Sequence, residues 1–426
     1  MSLSSLDKEV LKLIMQHVPL RDRLGNCSLV SKELHAAAVE ATQSLELFMP
    51  CEAHTTVPNL TGCLSSCVSH YGQHLTKVML HGFKQPLRHL SCPNLLDLEL
   101  SSVFKDGSVQ LGPAADGTLG VIKDCINLTR LHMRCRIIDA TVDGVYDNLS
   151  SLVDLQHLNF SGKVDTPVLG LSAATLPRLQ RLTHLTVNTL SEENLVQLGG
   201  LPSLQELDLA ADEDVDVGPS SVPGISFPAS LSRLVLSTPV EAGTLLLVPT
   251  TLRHLQVECY VESPAEGPGS FLAGMGRLQH LTQLVVRRRD PEWPPAGPTY
   301  STIVASSNLV TLELAVTSVP QGIWSHVFGT AHKLPHLTCL NLADTGHEGG
   351  MLAASPRWGA AELSSLVSCC PGLCKIDGLS LQPGPQLSEL HKLTALTRLH
   401  VWYLLDDTTV VGESVKCLAA VTQLRE

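Results

Sequence analysis

The sequence predicts an α/β fold: a solenoid in which a parallel β-sheet horseshoe gains one short strand per repeat, preceded by a small all-α segment of three helices. Three observations predict it. A six-residue frame, L-x-x-L-x-L with aliphatic substitutes, recurs thirteen times, its first leucine at Leu75, Leu95, Leu128, Leu155, Leu182, Leu204, Leu231, Leu252, Leu281, Leu309, Leu337, Leu373 and Leu396. Successive frames lie 20 to 36 residues apart, and most steps fall between 20 and 29. Residues 3–42 lack the frame and carry apolar residues at every fourth place instead.

That period and motif are the signature of a leucine-rich repeat. One such unit cannot bury its apolar face alone, so neighbours must stack. With the first leucine as position one, positions four and six point inward on a strand, and positions three, five and seven point outward. Position four is aliphatic in every frame, from Val78 to Leu399, and position six is a large apolar residue in every frame except at Gly378. The slot three residues before the first leucine is leucine in six of the thirteen repeats and Cys92, Cys125 or Cys370 in three. Cysteine there acts as a small buried hydrophobe, and reduced core thiols fit a cytoplasmic or nuclear protein.

Composition narrows the function classes. The chain has 426 residues, 44% hydrophobic and 16% charged, as a folded chain does. A net charge of −12 argues against a nucleic-acid binder, which carries a basic stripe. No apolar run approaches the roughly 20 residues of a membrane helix, and no signal-peptide pattern opens the chain.

At the N-terminus, Leu6, Val10, Ile14 and Val18 recur every four residues beside Leu3 and Leu11, which predicts an amphipathic helix ended by Pro19. A second short helix starts near Arg21-Asp22, and a third, from about Ser28, puts Val30, Leu34 and Ala38 on one face. So small a core leaves apolar surface that needs the solenoid or a partner. Leu6-Asp-Lys-Glu9-Val10-Leu11, Ile14, Val18-Pro19-Leu20-Arg-Asp22 and Ser28-Leu-Val30-Ser-Lys32 together resemble an F-box. The family usually has Leu-Pro where this chain has Leu6-Asp7, and Trp where it has Leu34. The resemblance implies docking to the adaptor subunit of an SCF-type ubiquitin ligase through Leu6, Val10, Leu11, Ile14, Pro19, Leu20 and Val30. It also implies that the repeats hold a protein substrate. The other reading is an interaction scaffold whose N-terminal helices merely cap the solenoid.

The expected organisation is therefore an F-box-like segment over 1–42, a linker or capping strand over 43–57 and the solenoid over 58–426. Ser44-Leu45-Glu46-Leu47-Phe48 alternates like an incomplete first strand. Return segments at Asn194–Leu198, Phe271–Leu278, Ala361–Cys369 and Val415–Ala420 read as short helices. The Asn or Cys usual at position nine of the repeat family is absent, which predicts uneven curvature. Insertions over 101–118 and 343–360, rich in Gly and Pro, read as exposed loops. Val421 begins a fourteenth frame that stops at Glu426, so the chain is expected to continue or to have its last strand edge covered.

No catalytic residue, cofactor or metal is expected. Cys63, Cys67, His70 and His74 have the look of a metal motif, but on one helix their ends lie about 16 Å apart, too far for one zinc. No phosphate-binding loop, dinucleotide fingerprint or nucleophile elbow occurs. The outward positions form a mixed polar face about 60 Å long at about 4.8 Å per strand, suited to a protein ligand. Its expected contact residues are Arg130, His157, His184, Arg233, His254, Arg287, Arg398, His400 and Trp402. The distal half, with Arg287-Arg-Arg289 and Trp402, holds residue types that dominate interfaces.

Overall fold

The computed structural model describes residues 8–18, 22, 31–48, 68, 70–81, 90–101, 108–109, 122, 124–134, 136–137, 147–160, 175–187, 192–209, 226–237, 244–259, 274–288, 297–316, 322–329, 333–342, 358–380, 385–402 and 424–425. The chain divides into two compact units, Met1–Leu204 and Gln205–Glu426.

The first unit opens with helices α1 (Lys8–Gln16) and α2 (Lys32–Ala41). Ser31 is extended and its hydroxyl accepts from the Leu34 amide at 3.2 Å, so α2 begins after Ser31, a turn later than the Ser28 start expected from sequence. Leu11, Met15, Leu34, Ala37, Ala38 and Ala41 form the core between the helices, with Val18 partly buried beside them. Small residues on α2 let the two helices close on each other, and Leu34 fills the place where an F-box usually carries Trp. The second short helix falls almost wholly outside the described residues.

The strands follow the frame. In the first unit, β1 (Ser44–Phe48), β2 (Lys77–His81), β3 (Asp97–Ser101), β5 (Arg130–Arg134), β7 (His157–Phe160) and β8 (His184–Val187) pair in parallel in that order. The short strands β4 (Ser108–Val109) and β6 (Arg136–Ile137) pair separately, so part of the 101–118 insertion is strand and not loop. The second unit continues with β9 (Glu206–Leu209), β10 (Arg233–Leu236), β11 (His254–Cys259), β12 (Gln283–Arg288), β13 (Thr311–Val316), β14 (Cys339–Asn341), β15 (Lys375–Ser380) and β16 (Arg398–Trp402), again parallel and in order. All thirteen first leucines are buried, and so is position four in every frame but the last, where Leu399 is half-buried.

Gly378 breaks the position-six rule because the strand bulges there. The register shifts between Ile376 and Leu379, Gly378 takes a φ of +78°, and Leu379 fills the inward place at 0% exposure. A left-handed residue in a bulge favours glycine, which has no Cβ to clash.

Two backbone devices join the repeats. In the frames after Leu75 the first leucine's amide donates to the carbonyl three residues earlier, as Leu155 does to Leu152 at 3.0 Å, closing a turn that buries both of those side chains. Cys92, Cys125 and Cys370 occupy that slot at 0% exposure, in leucine's role. Ser306 takes it once, with its hydroxyl 2.7 Å from the Leu281 carbonyl and 2.9 Å from that of Gln279. Position two supplies the second device. Thr76, Thr129 and Thr183 in the first unit, and Ser232, Thr282, Thr338 and Thr397 in the second, each donate a hydroxyl to the position-two carbonyl of the preceding turn. That carbonyl also receives two amides, as Gln43 does from Thr76 at 2.8 Å and Lys77 at 3.0 Å. Between them stand Leu96, Gln156, Arg253, Val310 and Cys374, so in each unit the hydroxyl recurs on every second turn.

The return segments carry short helices where expected, α3 (Glu192–Gln197) and α5 (Ala360–Cys369), and one not foreseen, α4 (Ile323–Val327). Gly274 and Met275 are helical within the expected third stretch, and the fourth, over 415–420, lies outside the described residues. Trp358, at the end of the second insertion, is buried against Trp324 and Phe328. The Arg425 amide donates to the Thr397 carbonyl at 2.9 Å, the bond that position two makes in the other turns. Leu424, and not Val421, therefore takes the first-leucine place.

Candidate docking surfaces

Two surfaces stand out among the described residues. The first is on α1. The core takes Leu11 and Met15, each 4% exposed, and leaves Val10, Leu13 and Ile14 at 42, 58 and 41%. Two apolar stripes thus run along one short helix, and only the Leu11 stripe is filled by α2. Leu11 accordingly does not belong with the expected docking residues: its side chain lies in the core. Val10 and Ile14 do lie on open surface, joined by Leu13, which periodicity at every fourth residue passed over. Leu6, Pro19, Leu20 and Val30 fall outside the described residues.

The second surface is the outward face of the strands. In the first unit, Asp97, Glu99, Arg130, His132, His157, Asn159, His184 and Thr186 line a cleft of about 310 Å³. The imidazoles of His157 and His184 stack with centroids 4.1 Å apart and planes 21° apart. The Thr183 hydroxyl lies 2.8 Å from His184 Nδ1. Lys77 sits 3.5 Å from Asp97, and Arg130 is exposed at the rim. Burial lowers the His132 pKa from its ordinary value against the pull of Glu99, so this ring is neutral near pH 7.

In the second unit Arg233, Arg287 and His400 each pair with a carboxylate of a neighbouring strand. Arg287 forks onto Glu313 Oε1 through Nε at 3.2 Å and Nη2 at 3.1 Å, so it is committed within the sheet face. Arg233 Nε stands 3.8 Å from Glu206. Asp377 is held by Lys375 at 3.4 Å and His400 at 2.8 Å. Burial of that carboxylate works against its ionisation, but these two partners outweigh it and hold its pKa below the ordinary value. His254 is lowered by burial first and by Arg233 next. Arg398 is exposed at the last strand, and the Trp402 backbone pairs with Ser380 while its side chain lies outside the described residues. Glu99, His132 and Asn159, outward at position five of adjacent frames, line the cleft although they are not among the contact residues expected from sequence.

Among the described residues no group of three His, Cys, Asp or Glu side chains could hold a metal ion. Of the suspected metal motif, His70 Nε2 lies 3.4 Å from His35 Nε2 on α2, while Cys63 and Cys67 fall outside the described residues. No described helix is long and apolar enough to cross a membrane.

Residues 3–39 match the F-box domain family. No curated protein matches the chain in sequence. Among solved structures, a leucine-rich-repeat protein of Leptospira interrogans superposes with a TM-score of 0.50 at 17% identity, over 93% of this chain and 92% of that one. The Toll–Spatzle complex of Drosophila gives a TM-score of 0.43 at 12% identity, over 85% of this chain and 55% of that one.

Proposed function

We propose, taking the chain as an F-box protein with leucine-rich repeats, that it is the substrate-recognition subunit of an SCF-type ubiquitin ligase. In this reading it performs no chemistry. The N-terminal helices dock to the ligase adaptor, and the outward strand face holds a protein substrate. One observation carries the reading: Val10, Leu13 and Ile14 are exposed on α1 while Leu11 and Met15 are the residues that pack against α2. A helix that served only to cover the solenoid would turn such a stripe inward. Cys92, Cys125, Cys339, Cys369, Cys370 and Cys374 are free, four of them buried, which supports work in the cytoplasm or nucleus, where thiols stay reduced.

The test is capture of purified adaptor by the full chain. The expected result is capture that Val10→Asp with Ile14→Asp abolishes while thermal unfolding stays where it was. Leu20 and Val30, expected from sequence to share the surface, are the next pair to replace. No capture by the unmodified chain, or undiminished capture by the double variant, overturns the ligase reading in favour of a scaffold.

A further inference from the structure

The cleft in the first unit holds polar atoms that the fold leaves unsatisfied. Its floor is position five of four neighbouring strands: Glu99, His132, Asn159 and Thr186 stand side by side in register. His132 Nε2 and Asn159 Oδ1 are buried there with no hydrogen-bond partner. Among the described residues Glu99 has neither a hydrogen bond nor an ion pair, unlike Asp97, Glu313 and Asp377, each held by a cation. Buried groups of this kind are normally matched, so the floor lacks the donors it is shaped for.

The missing partner can be described from the groups that want it. A carboxylate and an amide oxygen accept only, and a neutral imidazole has one nitrogen that accepts and one that donates. The occupant must therefore bring several N–H donors and a positive charge. An arginine fork offers paired donors to two such acceptors at once, where a compact ammonium offers a point charge, and the His157 and His184 rings, stacked on each other, stand beside the floor. A cleft of about 310 Å³ admits a side chain or two and no folded body, so the group must arrive on an extended segment. Arg130 at the rim repels an isolated cation and asks for a carboxylate close to it. The chain's net charge of −12 draws basic segments from a distance.

We propose that this cleft takes an arginine side chain, flanked by an acidic residue, from an extended segment of the protein that the repeats recruit. The guanidinium meets Glu99 and, as the Asn159 amide turns out from the floor, its Oδ1, beside the His157 and His184 rings, and the neighbouring carboxylate meets Arg130. The inference rests on the reading of the repeats as a recruitment surface, but its test uses no ligase component.

The experiment measures fluorescence anisotropy of the full chain with dye-labelled peptide pools. Each pool fixes an acidic residue beside one central residue, which is arginine, lysine, citrulline or glutamate, within randomised flanks. The arginine pool should bind at least about tenfold more tightly than the citrulline pool, the scale of a charge-assisted hydrogen bond. Glu99→Gln should erase that preference, and Asn159→Asp, which adds a charge to the floor, should widen it. Equal binding of the arginine and citrulline pools overturns the inference, as does tightest binding of the glutamate pool, which would make the cleft an acceptor of acidic segments through Arg130. Adaptor capture is scored separately, so a failed ligase reading and a failed cleft give different results.

Discussion

The Trp358 indole lies flat on that of Trp324, with centroids 4.7 Å apart and planes within 13°. The two residues come from opposite ends of the 325–357 stretch, so the stack pins the chain as it returns from the second insertion. Phe328, 5.7 Å from Trp358 by ring centroids, completes the cluster. Trp358→Ala should therefore cost about 3–5 kcal/mol, the range for emptying a large aromatic site. Chemical denaturation followed by tryptophan fluorescence measures it, and a loss below about 1 kcal/mol would show that the cluster can collapse.

On α1, neighbouring apolar residues should respond in opposite ways. Leu11→Ala empties the space against α2 and should cost about 2–5 kcal/mol of local stability. Ile14→Ala acts at an exposed position and should stay within about 0.5 kcal/mol. Amide hydrogen exchange over α1 and α2 reads both changes, and equal effects would contradict the partition of the two stripes.

Acid should weaken the fold through two histidines. Burial lowers His132 and His254 below the ordinary histidine value of about 6.5 in the folded chain. On acidification the unfolded chain then binds protons first. Stability from this source is complete above about pH 6.5, falls as pH drops below it and levels off beneath the folded values. Tm measured across that window should fall less steeply in a His132→Gln, His254→Gln variant than in the unmodified chain.

Asp208 carries the opposite sign. Burial raises its pKa, only partly countered by Arg233, so the ionised form is disfavoured in the folded chain. Stability should rise as pH falls through the folded value. Asp208→Asn should raise Tm near neutral pH, and a lowered Tm would mean that the carboxylate makes a stabilising contact with Arg233.

The buried thiols should be inert until the chain opens. Desolvation lifts Cys92 to about 11 and Cys125 to about 12, leaving almost no thiolate at neutral pH. Alkylation at pH 8 should label them only after denaturant is added. Rapid labelling of the native chain would show local opening of those turns.

The repeat was legible because period-two alternation inside a recurring leucine frame leaves one way to bury the apolar side. The frame even placed β1 before any full repeat. Its failures were local. Gly378 read as a lapse because a bulge adds a residue that a fixed count cannot accommodate. The last frame was read three residues early because Leu418, Val421 and Leu424 are all apolar, and only the Arg425 hydrogen bond chooses among them. On α1 both the Val10–Ile14 and Leu11–Met15 stripes are apolar, and which one turns inward depends on where α2 lies. The Arg287–Glu313 fork and the unmatched floor of the cleft depend on neighbours from other turns, which a frame read one turn at a time does not bring together.

The hydroxyls of Thr76, Thr129 and Thr183, then of Ser232, Thr282, Thr338 and Thr397, give this solenoid a parity. Odd and even turns are different parts. One kind carries a short side chain committed to its neighbour, and the other is at liberty to carry leucine, glutamine, arginine, valine or cysteine at the same place. The module that could be excised, duplicated or grafted without disturbing the rest is accordingly a pair of turns. A junction made after a single turn would bring two like edges together and lose the rhythm from there onward.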